Sequence, residues 1–206
     1  MRVKICGITN TEDALIAEEF GADALGFVFH EQSKRFIDFE SAKKIIDELS
    51  PFITKVGVFV NASADKINMV SKNIKLNLIQ LHGEETPDFA TRLNLPVIKS
   101  FRVNNTFNYD LLYEFKYQYI LLDSFSESEK GGTGKKFFWE NIPRELRGKI
   151  ILAGGISTDN LEIICSEIKP YAIDVSSSLE SSPGKKDIIK MKDFFFKLNS
   201  LRNKSC

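Results

Sequence analysis

The chain of 206 residues carries 28 Lys plus Arg against 28 Asp plus Glu, and 43% of it is hydrophobic. A domain of this size buries about 70% of its unfolded surface, so global disorder is excluded, and balanced charge without a long basic stripe leaves no footprint for nucleic acid. No apolar run approaches the roughly 18 residues of a membrane span, the N-terminus enters a strand directly, and Cys6, Cys165 and Cys206 are scattered without metal-ligand or disulfide spacing. These features predict a single domain over residues 1–206, in a reducing cytoplasm, with no membrane, nucleic-acid or metal partner.

Read in chain order, short β-like runs alternate with amphipathic helical stretches. Strands are expected at 2–6, 23–29, 53–60, 76–82, 96–101, 118–123, 149–153 and 171–176. Helices are expected at 11–20, 39–49, 64–72, 87–93, 109–115, 139–142, 158–167 and 187–199, with Thr11, Ser63 and Thr158 as caps. The residues 186–196 are rich in Lys and Phe and read as the last amphipathic helix covering the barrel, with Phe exposure allowed. Eight alternating units in a chain of this length close most economically into an α/β fold of the (β/α)8 TIM-barrel type; an open doubly wound sheet is the alternative.

A barrel puts its chemistry at the carboxyl ends of its strands. There the sequence has Cys6 after the first strand, Gln80 and His82 in the fourth, Asp123 in the sixth, Gly154-Gly155 after the seventh and Asp174, Ser176 and Ser177 in and after the eighth. Strand alternation puts Arg2, Lys4 and Cys6 on one face, and Lys4 two residues back would lower the thiol pKa. Gly154, Gly155, Ser176 and Ser177 suit a phosphate held by backbone N–H groups and a short helix start, which implies a small phosphorylated sugar as partner. A thiolate at Cys6 and an acid at Asp123 fit proton transfer at carbon, provided that burial or a like charge such as Asp174 keeps a proton on Asp123. The loop 31–37 presents Lys34 and Arg35, and an arginine fork there suits a carboxylate, although a solvated basic loop is the plainer reading. His82 shares its face with Gln80 and is eligible for the pocket. The long loop 124–138 contains Gly131-Gly132-Thr133-Gly134-Lys135, which lacks P-loop spacing and reads as an element that closes on substrate.

These residues together resemble the phosphoribosylanthranilate isomerase family from residue 2 to about residue 195. The resemblance is carried by Lys4-Ile5-Cys6-Gly7-Ile8-Thr9, Gly21-Ala22-Asp23-Ala24-Leu25-Gly26-Phe27-Val28-Phe29, Ser33-Lys34-Arg35, Val56-Gly57-Val58-Phe59-Val60-Asn61, Gln80-Leu81-His82-Gly83, Leu121-Leu122-Asp123, Gly131-Gly132-Thr133-Gly134, Ala153-Gly154-Gly155 and Asp174-Val175-Ser176-Ser177. It implies an aldose–ketose isomerase of tryptophan biosynthesis that performs an Amadori rearrangement of N-(5-phosphoribosyl)anthranilate without metal or organic cofactor. It further implies Cys6 as general base, Asp123 as general acid, Arg35 on the anthranilate carboxylate, Asp174 on ribose hydroxyls and Gly154, Gly155, Ser176 and Ser177 around the phosphate. One departure is Phe138, where the family commonly has an acidic residue before the tryptophan, here Trp139.

Two rival readings are an aldol or epimerising phosphosugar barrel and a non-catalytic sensor of a phosphorylated metabolite. An aldolase Schiff base would want a lysine in the pocket, for which Lys4 and Lys99 are the inward candidates, and a sensor would have lost the acid or the base. A monomer is the simpler expectation, with a homodimer left open.

Overall fold

A computed structural model describes residues 1–115, 119–123 and 139–203. The expected strand start at Gln118, the loop 124–138 with Phe138, and Cys206 lie outside them. Eight parallel strands close in sequence order into a barrel: β1 (Arg2–Cys6), β2 (Ala24–Val28), β3 (Thr54–Phe59), β4 (Leu78–Leu81), β5 (Val97–Arg102), β6 (Tyr119–Asp123), β7 (Ile150–Ala153) and β8 (Ala172–Val175). β1 pairs with both β2 and β8, which excludes the open sheet. The strands are rich in Val, Ile, Leu and Phe, as parallel strands buried on both faces require.

Alternation divides those side chains into two cores. Val56, Ile98, Leu121, Ile151, Ala153 and Ala172 form a layer inside the barrel. The intervening residues, among them Ile5, Phe27, Phe59, Leu81, Leu122 and Ile173, face outward and pack against the helices. Apart from Ala153, which stands at the register of Asp123, this inner layer fills the barrel's lower half, so the polar residues two positions further along the strands stand at its carboxyl-end mouth.

The covering helices follow from their caps and apolar stripes. Asn10 caps α1 (Thr11–Glu19) by accepting from the Asp13 N–H, so the cap stands one residue before the expected Thr11. Asp38 caps α2 (Phe39–Glu48), and Ser63 caps α3 (Ala64–Asn73) as expected. The 87–93 stretch is a 3-10 helix, Pro87–Arg92. Shorter pieces follow: α4 (Leu111–Glu114), a 3-10 turn at Trp139–Asn141 and α5 (Arg144–Arg147), the last not anticipated. The expected helix at 158–167 is a composite of a 3-10 turn (Thr158–Asn160), α6 (Leu161–Ile163) and a π segment (Ile164–Ile168). Ser157, not Thr158, holds its N-cap position, and its N–H donates to Asn160 Oδ1 at 3.0 Å.

After β8 comes a 3-10 turn, Ser177–Leu179, and then a hairpin of β9 (Glu180–Ser182) and β10 (Lys185–Lys186) that the sequence pattern did not suggest. Lys186 therefore sits in a strand, not at the start of a helix. Gly184 closes the hairpin at φ +84°, and Thr9 donates to its carbonyl. The last helix, α7 (Ile188–Asn203), buries Phe194 and Phe195 and leaves Phe196 79% exposed.

Phe194→Ala should cost about 3–5 kcal/mol, because the ring is fully buried against the barrel, and lower Tm by roughly 10 °C. Phe196→Ala should leave Tm within about 2 °C, since its ring is already in water. Thermal unfolding of the two variants side by side checks the assignment of α7's faces.

Candidate active site

The mouth is built around Cys6. Its strand neighbour is Gly26 on β2, and a Cβ placed there would lie 2.8 Å from Cys6 Sγ and 3.0 Å from Lys4 Nζ. Glycine at 26 thus leaves room for both side chains inside the barrel. Gly7, at φ +79°, performs the same service for Arg35, whose Cδ would stand 2.5 Å from an added Cβ. The two glycines let the thiol and a guanidinium pack at close quarters.

Lys4 and Asp174 face one another across the β1–β8 register, and Lys4 Nζ donates to both carboxylate oxygens at 2.9 Å with both side chains buried. Burial alone would lower the Lys4 ammonium, but the Asp174 charge and then the Cys6 charge reverse it, so it is raised. Burial pushes the Asp174 carboxyl up against the pull of Lys4. Two short contacts from one ammonium to both oxygens are those of an ion pair, the form in which each group has its strongest partner.

The Cys6 thiol is raised, contrary to the expectation from Lys4. Burial is the largest cause; Lys4 pulls the thiol down, Asp174 pushes it up, and Lys186 pulls it down. A lysine two residues away is legible in the sequence, whereas the burial that outweighs it comes from the closed barrel.

Asp123 ends β6 on the same inward parity as Leu121 and Tyr119. Its Oδ2 lies 3.6 Å from His82 Nε2, and each side chain is about one-fifth exposed. On the other side of the imidazole, the Gln80 side-chain amide and His82 Nδ1 are hydrogen-bonded at 3.1 Å. Gln80, His82 and Asp123 thus form one polar row across β4 and β6. Lys99 does not join it: it points away from the barrel axis and is bound by Glu85 at 2.8 Å and the Gly83 carbonyl at 2.6 Å. Burial works to raise Glu85, but Lys99 and the Asn61 N–H hold it below its usual range. This outer ion pair staples the turn that follows His82.

Arg35 is drawn back from solvent by Glu180, to which Nε and Nη2 donate at 2.8 and 2.7 Å. The fork is therefore engaged by an internal carboxylate, and Nη1 is the guanidinium nitrogen not joined to it. Glu180 also holds Lys186 Nζ at 3.0 Å. Lys186 donates in turn to the Cys6 carbonyl at 2.7 Å and the Ser176 carbonyl at 3.4 Å. Sequence reasoning missed both residues.

Gly154 and Gly155 adopt φ +83° and +66°, and the Gly155 Cα faces open space. The expected short helix start is the 3-10 turn Ser177–Leu179, with Ser176 before it. Ser178 Oγ donates to the Ile156 carbonyl at 2.5 Å, joining the loops after β7 and β8 into one rim. The Ser176 hydroxyl is taken up by the Cys6 carbonyl at 3.0 Å, so only main-chain groups of Ser176 remain for an anion. Among the described residues, no group of His, Cys, Asp and Glu has the geometry of a metal centre.

The chain is similar to proteins of one family. The family profile described as N-(5'phosphoribosyl)anthranilate (PRA) isomerase matches residues 3–197. The N-(5'-phosphoribosyl)anthranilate isomerase of Trichlorobacter lovleyi is 49% identical over 197 residues, 94% of this chain and 96% of that protein. The crystal structure of phosphoribosyl anthranilate isomerase from Thermus thermophilus superposes with a TM-score of 0.87 at 39% identity, covering 98% of this chain and 100% of that one. A phosphoribosyl anthranilate isomerase solved with reduced 1-(o-carboxyphenylamino)-1-deoxyribulose 5-phosphate superposes at 0.83 with 40% identity, over 97% of this chain and 99% of that one.

Gly26→Ala is expected to fold but to lose at least about tenfold in kcat, since the new methyl claims the volume of the Cys6 sulfur. Steady-state rates together with a cooperative melting curve test this.

Proposed function

The chain belongs to the N-(5'-phosphoribosyl)anthranilate isomerase family and is an isomerase of tryptophan biosynthesis, and from that premise we propose that Cys6 and Asp123 are the base and the acid of its reaction. The substrate is N-(5-phosphoribosyl)anthranilate and the product 1-(2-carboxyphenylamino)-1-deoxyribulose 5-phosphate. The observation that supports the reading most directly is that Cys6 and Asp123 end β1 and β6 at the same mouth, with two anion-binding features beside them. One is the rim of Gly154, Gly155, Ser176 and Ser177, which suits the phosphate. The other is Arg35, whose Nη1 is available to the anthranilate carboxylate while Glu180 fixes the rest of the fork.

In this reading Asp123 gives its proton to the furanose ring oxygen, the C1–O bond breaks, and the amine lone pair closes an iminium at C1. Cys6, as thiolate, then removes the C2 proton, and the electron pair of that bond moves into the iminium to give an enolamine. Tautomerisation delivers a proton to C1 and leaves the ketone at C2. The iminium is the electron sink, so the step needs no Lewis acid. Asp174, held by Lys4, faces the ribose hydroxyls, and His82 stands beside Asp123. The aldol alternative is disfavoured by the lysines: Lys4 is committed to Asp174, and Lys99 points out of the barrel.

Phosphoribosylanthranilate formed in situ should lose its fluorescence when the purified protein is added. Cys6→Ser should abolish nearly all turnover at similar side-chain volume, and Asp123→Asn should keep substrate binding while kcat falls by roughly 10²–10⁴, the usual worth of a general acid. Retention of more than about a third of wild-type kcat in either variant, with chemistry rate-limiting, would remove that residue from the mechanism. Because the free thiol is raised, kcat/KM should climb as pH rises through the thiol's titration instead of levelling near neutrality.

Arg35→Met should raise KM about tenfold or more, since a charge-assisted contact to a carboxylate is worth about 1.5–3 kcal/mol. An unchanged KM would return Arg35 to a role in holding Glu180 alone.

A further inference from the structure

Lys186 is the most completely buried cation among the described residues, with a side chain 0% exposed. A buried ammonium is costly unless each of its protons finds an acceptor, and here each does. One goes to Glu180 Oε1 at 3.0 Å, one to the Cys6 carbonyl at 2.7 Å and one to the Ser176 carbonyl at 3.4 Å. Its own backbone N–H donates to Asp13 Oδ2 at 2.7 Å, which pins β10 against α1. The partners are not arbitrary: two are the main-chain ends of β1 and β8 at the mouth, and the third is the carboxylate that grips Arg35.

We propose that Lys186 is a positioning residue for the isomerisation: it fixes the backbone of Cys6 and Ser176 and sets a positive charge beside the Cys6 thiol, while Glu180 ties that same ammonium to Arg35. One buried brace then sets both the base and the carboxylate anchor. This rests on the roles of Cys6 and Arg35 proposed above. The charged groups that face the thiol are Lys4 from β1, Asp174 from β8, Arg35 from the loop after β2 and Lys186 from β10; β2 itself contributes only Gly26. Lys4 is paired with Asp174, as Lys186 is with Glu180. Lys186 is the cation whose proton points at the Cys6 main chain. Removing its charge disfavours the thiolate, so the thiol must titrate at higher pH.

The test uses the full chain with Cys165→Ala and Cys206→Ser, so that Cys6 is the one thiol that iodoacetamide can alkylate. Into it are placed Lys186→Gln, which keeps a donor but no charge, and Lys186→Met, which keeps neither. Both should move the pH midpoint of alkylation, and the acidic limb of kcat/KM, upward by about one pH unit. Plateau kcat should fall further in Lys186→Met than in Lys186→Gln, because only the amide still holds the Cys6 carbonyl. Glu180→Gln, which preserves volume if the lysine variants do not fold, should raise KM at least about fivefold through the loosened Arg35. An alkylation midpoint in folded Lys186→Gln that matches the parent overturns the brace, as does an unchanged KM in Glu180→Gln. A shifted alkylation curve with an unmoved kcat/KM limb overturns its catalytic role by showing that Cys6 is not the base.

Discussion

Closing eight parallel strands into a ring leaves each strand one face for the interior and one for the helices, and every position in the site depends on that division. Inside the ring the apolar layer of Val56, Ile98, Leu121, Ile151 and Ala172 occupies the lower half. Two residues further along the strands, the same parity delivers Gln80, Asp123 and Asp174, and on β1 it delivers Lys4 and Cys6. The polar groups have no freedom to face elsewhere, because the opposite face is committed to Ile5, Leu81, Leu122 and Ile173 against the helices. The Lys4–Asp174 ion pair is a consequence: two inward charges at matched register on adjacent strands must neutralise one another.

The alternation of strand and helix made the barrel legible, because a buried parallel strand needs a short apolar run on both faces and a covering helix needs a stripe. The mouth was legible for the same reason, since Cys6, Asp123 and Asp174 are polar residues at the ends of apolar runs. What escaped was set by contacts remote in sequence. Glu180 and Arg35 are 145 residues apart, and Lys186 and Cys6 are 180 apart. Nothing local marks Lys186 as buried; it lies in a Lys-rich stretch that has the composition of an exposed helix start. The direction of the Cys6 shift escaped likewise, because the neighbouring lysine is written in the chain and the desolvation is not. Lys99 failed differently: it lies one residue from the inward parity, and a single step along a strand sends a side chain to the other face.

The candidate site is also tightly braced. Cys6 receives two hydrogen bonds on its carbonyl, from Lys186 and from the Ser176 hydroxyl, so the end of β1 is fixed from the end of β8 and from the hairpin beyond it. Arg35 is held in two places by Glu180, and the turn after His82 by Glu85 and Lys99. The surrounding glycines at 7 and 26 contribute space, not mobility, since each gap is filled by a named side chain. Preorganisation of this kind places the cost of ordering the site in folding, so little of it remains to be met when substrate arrives.

The partners of Cys6 come from both ends of the chain. Asp174, Ser176 and Lys186 leave the ribosome long after residue 6, and Arg202 at the last turn of α7 donates to the Met1 carbonyl at 2.6 Å. Translation therefore leaves the first strand without its second neighbour until β8 has been made. Ring closure is a late event of high contact order, and an unfinished polypeptide holds an unsheltered thiol that has Lys4 and Arg35 early in the same chain but still lacks Asp174 and Lys186. Shelter for that sulfur arrives when β8 and the β9–β10 hairpin join the first strand.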